Sequence, residues 1–140
     1  MVRTFRYPLH PTVAQETVLL SWLGQCCDLY NAALQERRDA WRKQRVNLGR
    51  YDQHKSLTEW RRSDPEARAV PAWVQRSPLD RVDLAFKAFF RRCKAGQAPG
   101  YPRFRSKRRY DSFTVPASGR DSRVVGNRVS LPKLPSIRFN

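Results

Sequence analysis

Apolar and polar positions along this chain recur with two different periods, and the period switches twice. Residues 2–8 alternate, with Phe5 and Tyr7 on one side and Arg6 on the other, which predicts a strand ended by Pro8 and Pro11. From Thr12 the apolar spacing becomes three and four: Leu19, Leu23, Cys26, Tyr30, Leu34, Arg37 and Trp41 form one buried face of a long helix. Thr12 and Gln15 fit a capping box, and Glu16 sits in the first turn, where the helix dipole favours a negative charge. Arg42, Lys43 and Arg45 crowd the helix end, and residues 47–49 break it. Gly24, inside the helix, costs roughly 1 kcal/mol relative to alanine. It marks either a close approach of another backbone or a tolerated defect.

A second, shorter helix is predicted over residues 51–62, anchored by Leu57 and Trp60, followed by a turn at residues 63–66. Val70 is extended because it precedes Pro71. Two readings follow. Either residues 72–76 form a helical turn and a new helix starts at a Ser77 cap with Pro78 in its first position, or one kinked helix runs over residues 72–94. Its apolar ladder is Leu79, Val82, Phe86, Phe89, Phe90 and Cys93, and Asp80 and Asp83 fall in its first turn if it starts at Ser77. After residue 111 the period returns to two. Residues 112–115 read as a strand, residues 124–131 as a hairpin turning at Gly126-Asn127, and Leu134, Ile137 and Phe139 continue the strand pattern.

A lone strand is unstable, so the N-terminal strand is expected to pair with the C-terminal ones. The fold class is therefore α+β: a small antiparallel sheet or partial barrel, split by an inserted lobe of three helices. The expected boundaries are 1–10 for the first strand, 11–98 for the helical insertion, and 99–140 for a basic arm and the C-terminal strands. A sheet that stops at Phe139 leaves an open edge, so the sequence reads as the front of something longer, or as a chain covered by a second copy.

Charge then adds a partner. Lys and Arg number 28 against 12 Asp and Glu, a net charge of +16 over 140 residues, which points to nucleic acid first and an acidic membrane surface second. A hydrophobic fraction of 40% and an aromatic fraction of 11% argue against disorder. Ten of the twelve acids lie at or before Asp83; only Asp111 and Asp121 follow. From Arg91 to Arg109 there is no acid, and Arg91, Arg92, Lys94, Arg103, Arg105, Lys107, Arg108 and Arg109 are interleaved with Tyr101 and Phe104. Guanidinium groups grip phosphate bidentately, and aromatics set among them either stack on bases or pin the arm to the helices.

Other chemistry is scarce. The acids are scattered, so no carboxylate cluster for a two-metal nuclease is formed, and His10 and His54 lack a partner motif. Cys26 and Cys27 diverge by about 100° on a helix and cannot both aim at one metal; with Cys93 they read as small buried hydrophobes in a reducing cytoplasm. No catalytic residue, metal or cofactor is expected. No segment is apolar enough for a signal peptide or a membrane span, which predicts a cytoplasmic, nucleoid-associated protein with no membrane partner.

The ordered series Trp22-Leu23-Gly24, residues 29–34 (Leu-Tyr-Asn-Ala-Ala-Leu), residues 85–92, residues 100–109 (Gly-Tyr-Pro-Arg-Phe-Arg-Ser-Lys-Arg-Arg), Ser112-Phe113 and residues 131–134 resembles the N-terminal region of TnpB/OrfB-type proteins. These are transposon-encoded RNA-guided DNA endonucleases related to type V CRISPR effectors. The resemblance implies a wedge β-barrel with a helical recognition lobe inserted after its first strand, a region also described as a transposase helix-turn-helix domain. It implies guide RNA and duplex DNA carrying a short target-adjacent motif as partners. The family's nuclease domain, with its carboxylate triad and zinc knuckle, follows this region and has no counterpart here, so no enzymatic activity is expected. Its missing C-terminal part is a further expected partner. Family positions that contact the target-adjacent motif fall at Tyr51, Arg76 and Thr114. Pro135 stands where the family usually has glycine, and Pro78 is a second departure. The alternative functions are a stand-alone helix-turn-helix DNA-binding regulator, or a non-functional truncated remnant.

Overall fold

The computed structural model describes residues 1–115 and 122–140; Asp121 lies outside the described residues. The element order is β1 (Leu9–His10), α1 (Val13–Gln44), α2 (Arg50–Ser63), α3 (Pro65–Arg68), α4 (Ala72–Lys94), β2 (Arg123–Val125), β3 (Arg128–Ser130) and β4 (Ile137–Phe139). The fold is α+β: among the described residues there are four helices and an open four-stranded antiparallel sheet in the order β1-β4-β3-β2. The chain divides into two compact units, residues 1–21 with 115–140, and residues 22–114. Helix α1 lends its first turns to one unit and its remainder to the other.

In the first unit the N-terminal strand does pair with the C-terminal one, but it is shorter and later than the alternation predicts. Only Leu9 and His10 are paired, opposite Phe139 and Arg138. That register sets Pro8 opposite Asn140, whose N–H donates to the Pro8 carbonyl at 3.2 Å. Among the described residues no strand pairs with residues 2–7, and Tyr7 lays its ring 5.2 Å from that of Phe139. The hairpin forms as predicted, with Gly126 at φ +60° supplying the left-handed turn residue. The capping box is present as well. The Gln15 N–H donates to Thr12 Oγ1 at 3.2 Å, and the Thr12 N–H to Gln15 Oε1 at 2.9 Å. The same amide donates through Nε2 to the carbonyls of Pro135 and Ser136, at 3.0 and 3.2 Å. Buried Gln15 thereby ties the start of α1 to the segment entering β4, where Ile137 is fully buried.

In the second unit, α1 buries Cys26, Tyr30, Leu34 and Arg37 as the ladder predicts, buries Trp22, which the ladder omitted, and leaves Leu23 half-buried and Trp41 exposed. Gly24 is not a close-approach point, since a Cβ there meets nothing within 4 Å. Helix α1 ends at a left-handed Arg45 (φ 52°), with the Val46 N–H on the Ala40 carbonyl at 3.1 Å. A short helix, α3, stands where a turn was expected, because the Asp64 carboxylate caps the Glu66 N–H at 2.9 Å and Pro65 opens the helix. Helix α4 is continuous from Ala72, so Ser77 is not its cap and Pro78 lies inside it.

Proline at position 78 has no N–H for the carbonyl four residues before it, that of Val74. The buried Cys26 thiol donates to this carbonyl at 3.3 Å. Burial pushes the Cys26 thiol up to about 11, well above the ordinary value, which keeps it a donor at neutral pH. Cys93, by contrast, is exposed, as is Phe90.

Because α4 starts at Ala72, Asp80 and Asp83 are mid-helix residues rather than first-turn residues. Asp80 accepts from Arg50 Nε at 2.7 Å and lies 2.8 Å from His54 Nε2. Asp83 is buried. Arg37, also buried, donates to Asp83 Oδ1 at 3.1 Å and to Gln53 Oε1 at 2.8 Å, while Gln53 Nε2 donates to the Ala33 carbonyl at 2.9 Å. Lys87 reaches Asp83 Oδ2 at 3.0 Å. Burial alone would raise the Asp83 carboxyl, but the hydrogen bonds and charges of Lys87 and Arg37 outweigh it and hold it below the usual carboxylate value.

Two outcomes follow for stability. Removing one partner of a buried ion pair leaves the other charge uncompensated, so Asp83→Ala is expected to cost about 3–5 kcal/mol in urea unfolding at pH 7. The depressed carboxyl contributes stability above its unfolded value of about 3.9 and loses it as pH falls through the folded value, so wild type should weaken more steeply than Asp83→Ala below about pH 4. A parallel acid response in both proteins would refute this. Cys26→Ala strands the Val74 carbonyl and is expected to cost about 1–3 kcal/mol. In a Pro78→Ala background the restored helix N–H takes over that carbonyl, so a double-mutant cycle should show the cost of Cys26→Ala shrinking by at least about 0.5 kcal/mol.

Candidate nucleic-acid interface

The basic arm begins where α4 is forced to stop. Gly96 adopts φ +70°, its N–H meets the Cys93 carbonyl at 3.3 Å, and the Gln97 N–H reaches the Arg92 carbonyl at 3.0 Å. This is the glycine-terminated end that satisfies the last helix carbonyls and turns the chain away. Arg91, Arg92 and Lys94 lie in the final turn, all exposed, where the helix dipole favours cations.

The arm then lies across α1 and α4. The Tyr101 ring stands edge-on to Phe86 (5.7 Å) and Phe89 (5.3 Å), and the Arg38 guanidinium sits 5.4 Å from the rings of both Tyr101 and Phe104. The two aromatics therefore take the pinning role rather than standing free. Asn31 grips the backbone at Arg105 from both sides. It accepts from the Arg105 N–H at 2.9 Å and donates to the Arg105 carbonyl at 2.8 Å, which also accepts from the Cys27 thiol at 3.3 Å. The Arg105 guanidinium lies over Tyr30 at 5.4 Å. Lys107 reaches Asp28 at 3.7 Å on the surface, a pair worth little in water.

Arg103, Arg108 and Arg109 are exposed and form no ion pair among the described residues, and the same holds for Arg91, Arg92 and Lys94. The arm ends on Tyr110, which is buried against Tyr30 (5.9 Å) and the Arg81 guanidinium (5.2 Å); burial pushes its hydroxyl up to about 12.

Residues 112–115 are not a strand. Arg81 donates to the Ser112 carbonyl (2.7 Å) and hydroxyl (3.1 Å), the Phe113 ring enters a cluster with Trp22 and Trp73, and the Thr114 N–H donates to Ser77 Oγ at 3.3 Å. These contacts tie residues 112–114 to helix α4 and to Trp22 instead of to a neighbouring strand. Thr114 is consequently held at the residue next to Arg76. Tyr51 and Arg76 line one open cleft of about 520 Å³, together with Arg50, His54, Lys55 and Arg62. Tyr51, Lys55, Thr58 and Arg62 recur at four, three and four residues along one stripe of α2, a periodicity that could have exposed this cleft in the sequence. Asn31 and Arg38 carried no such signal. Among the described residues no group of three or more His, Cys, Asp or Glu is placed to hold a metal, and no helix is long and apolar enough to cross a membrane.

Residues 1–45 match the family model of the OrfB/IS605-type helix-turn-helix domain. The chain is 29% identical, over 76% of its own length, to a Streptomyces pristinaespiralis protein named "Putative RNA-guided DNA endonuclease". It is 25% identical, over 99% of its length, to the Escherichia coli K12 protein named "Putative RNA-guided DNA endonuclease InsQ". The resemblance to the N-terminal region of TnpB/OrfB-type proteins holds. The aligned regions cover 26% and 33% of these two relatives, so the chain spans between a quarter and a third of their length. The residues matched by the helix-turn-helix family model form β1 and α1, and the next long helix starts at Arg50.

One outcome tests the arm's attachment. Asn31→Ala removes both backbone hydrogen bonds at Arg105, so trypsin should cut the arm at residues 103–109 several-fold faster, with far-ultraviolet circular dichroism unchanged. Equal cleavage in both proteins would show that Asn31 does not latch the arm.

Proposed function

We propose that this chain is the nucleic-acid-binding N-terminal portion of a TnpB-like, transposon-associated protein, holding a guide RNA and target-adjacent duplex DNA without cutting either. The observation that carries this reading is the division of labour within the arm. Its backbone and rings are engaged by Asn31, Arg38, Phe86 and Phe89, while Arg103, Arg108 and Arg109 stay exposed and unpaired among the described residues. A cation held on a fixed backbone and released from any carboxylate suits phosphate contact. The OrfB-type match at residues 1–45 and the names of the relatives support the same class of partner.

Arg76 and Tyr51 are the residues proposed to read the duplex motif, with Thr114 beside them. Arginine is suited to guanine O6 and N7 in the major groove. Lys55 and Arg62 line the same cleft and are suited to flanking phosphates, whereas Arg50 there is paired with Asp80 and Glu59 adds a carboxylate. Residues 1–10 and 99–140 are proposed to correspond to the family's wedge, and residues 11–98 to its recognition lobe.

Electrophoretic mobility shifts with structured RNA and with duplex DNA test this reading. With about six phosphate contacts from the arm, log K should fall by about four to five units per decade of salt. Neutralising Arg103, Arg105, Lys107, Arg108 and Arg109 together should abolish most binding. Salt-independent binding, or binding that survives those substitutions, would overturn the assignment.

A further inference from the structure

A hollow of about 330 Å³ opens at the root of the arm, lined by Trp41, Phe86, Phe89, Phe90 and Tyr101, with Arg37 and Asn47. None of the functional roles above uses it. Its volume lies at the lower end of the roughly 300–1,000 Å³ of small-molecule sites. Two of its rings are far more exposed than their place in the apolar ladders predicts, Trp41 at 53% and Phe90 at 47%. A second, shallower hollow adjoins it through Trp41 and Tyr101 and adds Arg38 and Arg42. Among the described residues no carboxylate lines either one.

We infer that this hollow takes up an unstacked nucleobase of a single-stranded polynucleotide, with the adjoining arginines on its phosphates. Three observations carry the inference. First, the wall is aromatic on several sides and its geometry is set by packing, with Tyr101 at 89° to Phe86 and at 76° to Phe89. Every base has a π-face, so such walls accept bases without regard to sequence. Second, the rim carries one sign of charge. Arg38 and Arg42 line it, and the Arg45 guanidinium lies 5.4 Å from the Trp41 ring. An apolar peptide would gain nothing from that rim, whereas a strand with a phosphate on each side of the inserted base would. Third, the polar groups fit a base edge. The Arg37 charge is already answered by Asp83, so it does not demand an anion inside the hollow, and the exposed Asn47 amide offers both a donor and an acceptor.

The inference rests on the nucleic-acid reading above and extends it from paired to unpaired strands. The test uses the full chain, fluorescein-labelled ten-residue oligouridine and oligothymidine, a duplex, and strands of the same length whose bases are replaced by abasic sites. Intact single strands should bind roughly 5- to 100-fold tighter than abasic ones, and should quench tryptophan fluorescence. Trp41→Leu should remove both the preference and most of the quench while leaving duplex binding and its salt dependence unchanged. Phe90→Leu should halve the preference or more, and it serves if Trp41→Leu fails to fold. A stronger effect with oligouridine assigns the strand as RNA, a stronger one with oligothymidine as DNA; either supports the inference. Equal binding of intact and abasic strands, or equal loss of duplex and single-strand affinity in both variants, overturns the hollow as a base site but leaves the proposed function standing. Absence of binding to any polynucleotide at low salt overturns both.

Discussion

One side chain, Arg37, spans three helices. It leaves α1, donates to Gln53 on α2 and to Asp83 on α4, and lays its guanidinium 5.3 Å from the Phe86 ring. A buried guanidinium is tolerated only when its donors are answered, and here the answering groups come from two other helices. The consequence is positional. α2 and α4 are held against one point of α1, and Phe86, fixed under that charge, becomes the surface on which Tyr101 seats the arm. The seat of the Tyr101 ring thus traces back to a buried ion pair, while Asn31 holds the arm separately at the Arg105 backbone.

The irregular parts of the helical unit follow a common rule. Several backbone groups that regular structure leaves unanswered find a side chain from a neighbouring element. Cys26 meets the carbonyl freed by Pro78, Asn31 meets both groups of Arg105, and Arg81 and Ser77 meet Ser112 and Thr114. Arg61 does the same for the connection between α3 and α4, donating to the carbonyls of Ala67 and Val70 at 2.9 and 2.6 Å. Fixing a loop through its backbone leaves its side chains available, and in the arm those side chains are cationic. Rigidity and charge are therefore supplied by different atoms of the same residues, most plainly at Arg105.

Much was legible in the sequence, where the signal is local. Spacings of three and four determined α1 and α4, Thr12 and Gln15 determined the cap, and Gly126-Asn127 determined the hairpin turn, because each depends on residues within a few positions of one another. The run of cations without acids from Arg91 to Arg109 was likewise legible, because it is read from composition alone. Tertiary structure alone decided the rest. Whether Pro78 ended a helix or lay within one depended on a thiol 52 positions earlier in the chain, at Cys26. Whether residues 112–115 paired as a strand depended on Arg81, Ser77 and two tryptophans competing for the same groups. Whether Asp83 was a surface charge depended on where Arg37 arrived. Local pattern specifies which conformations are open to a segment; distant partners, arriving with a free donor, acceptor or ring face, select among them.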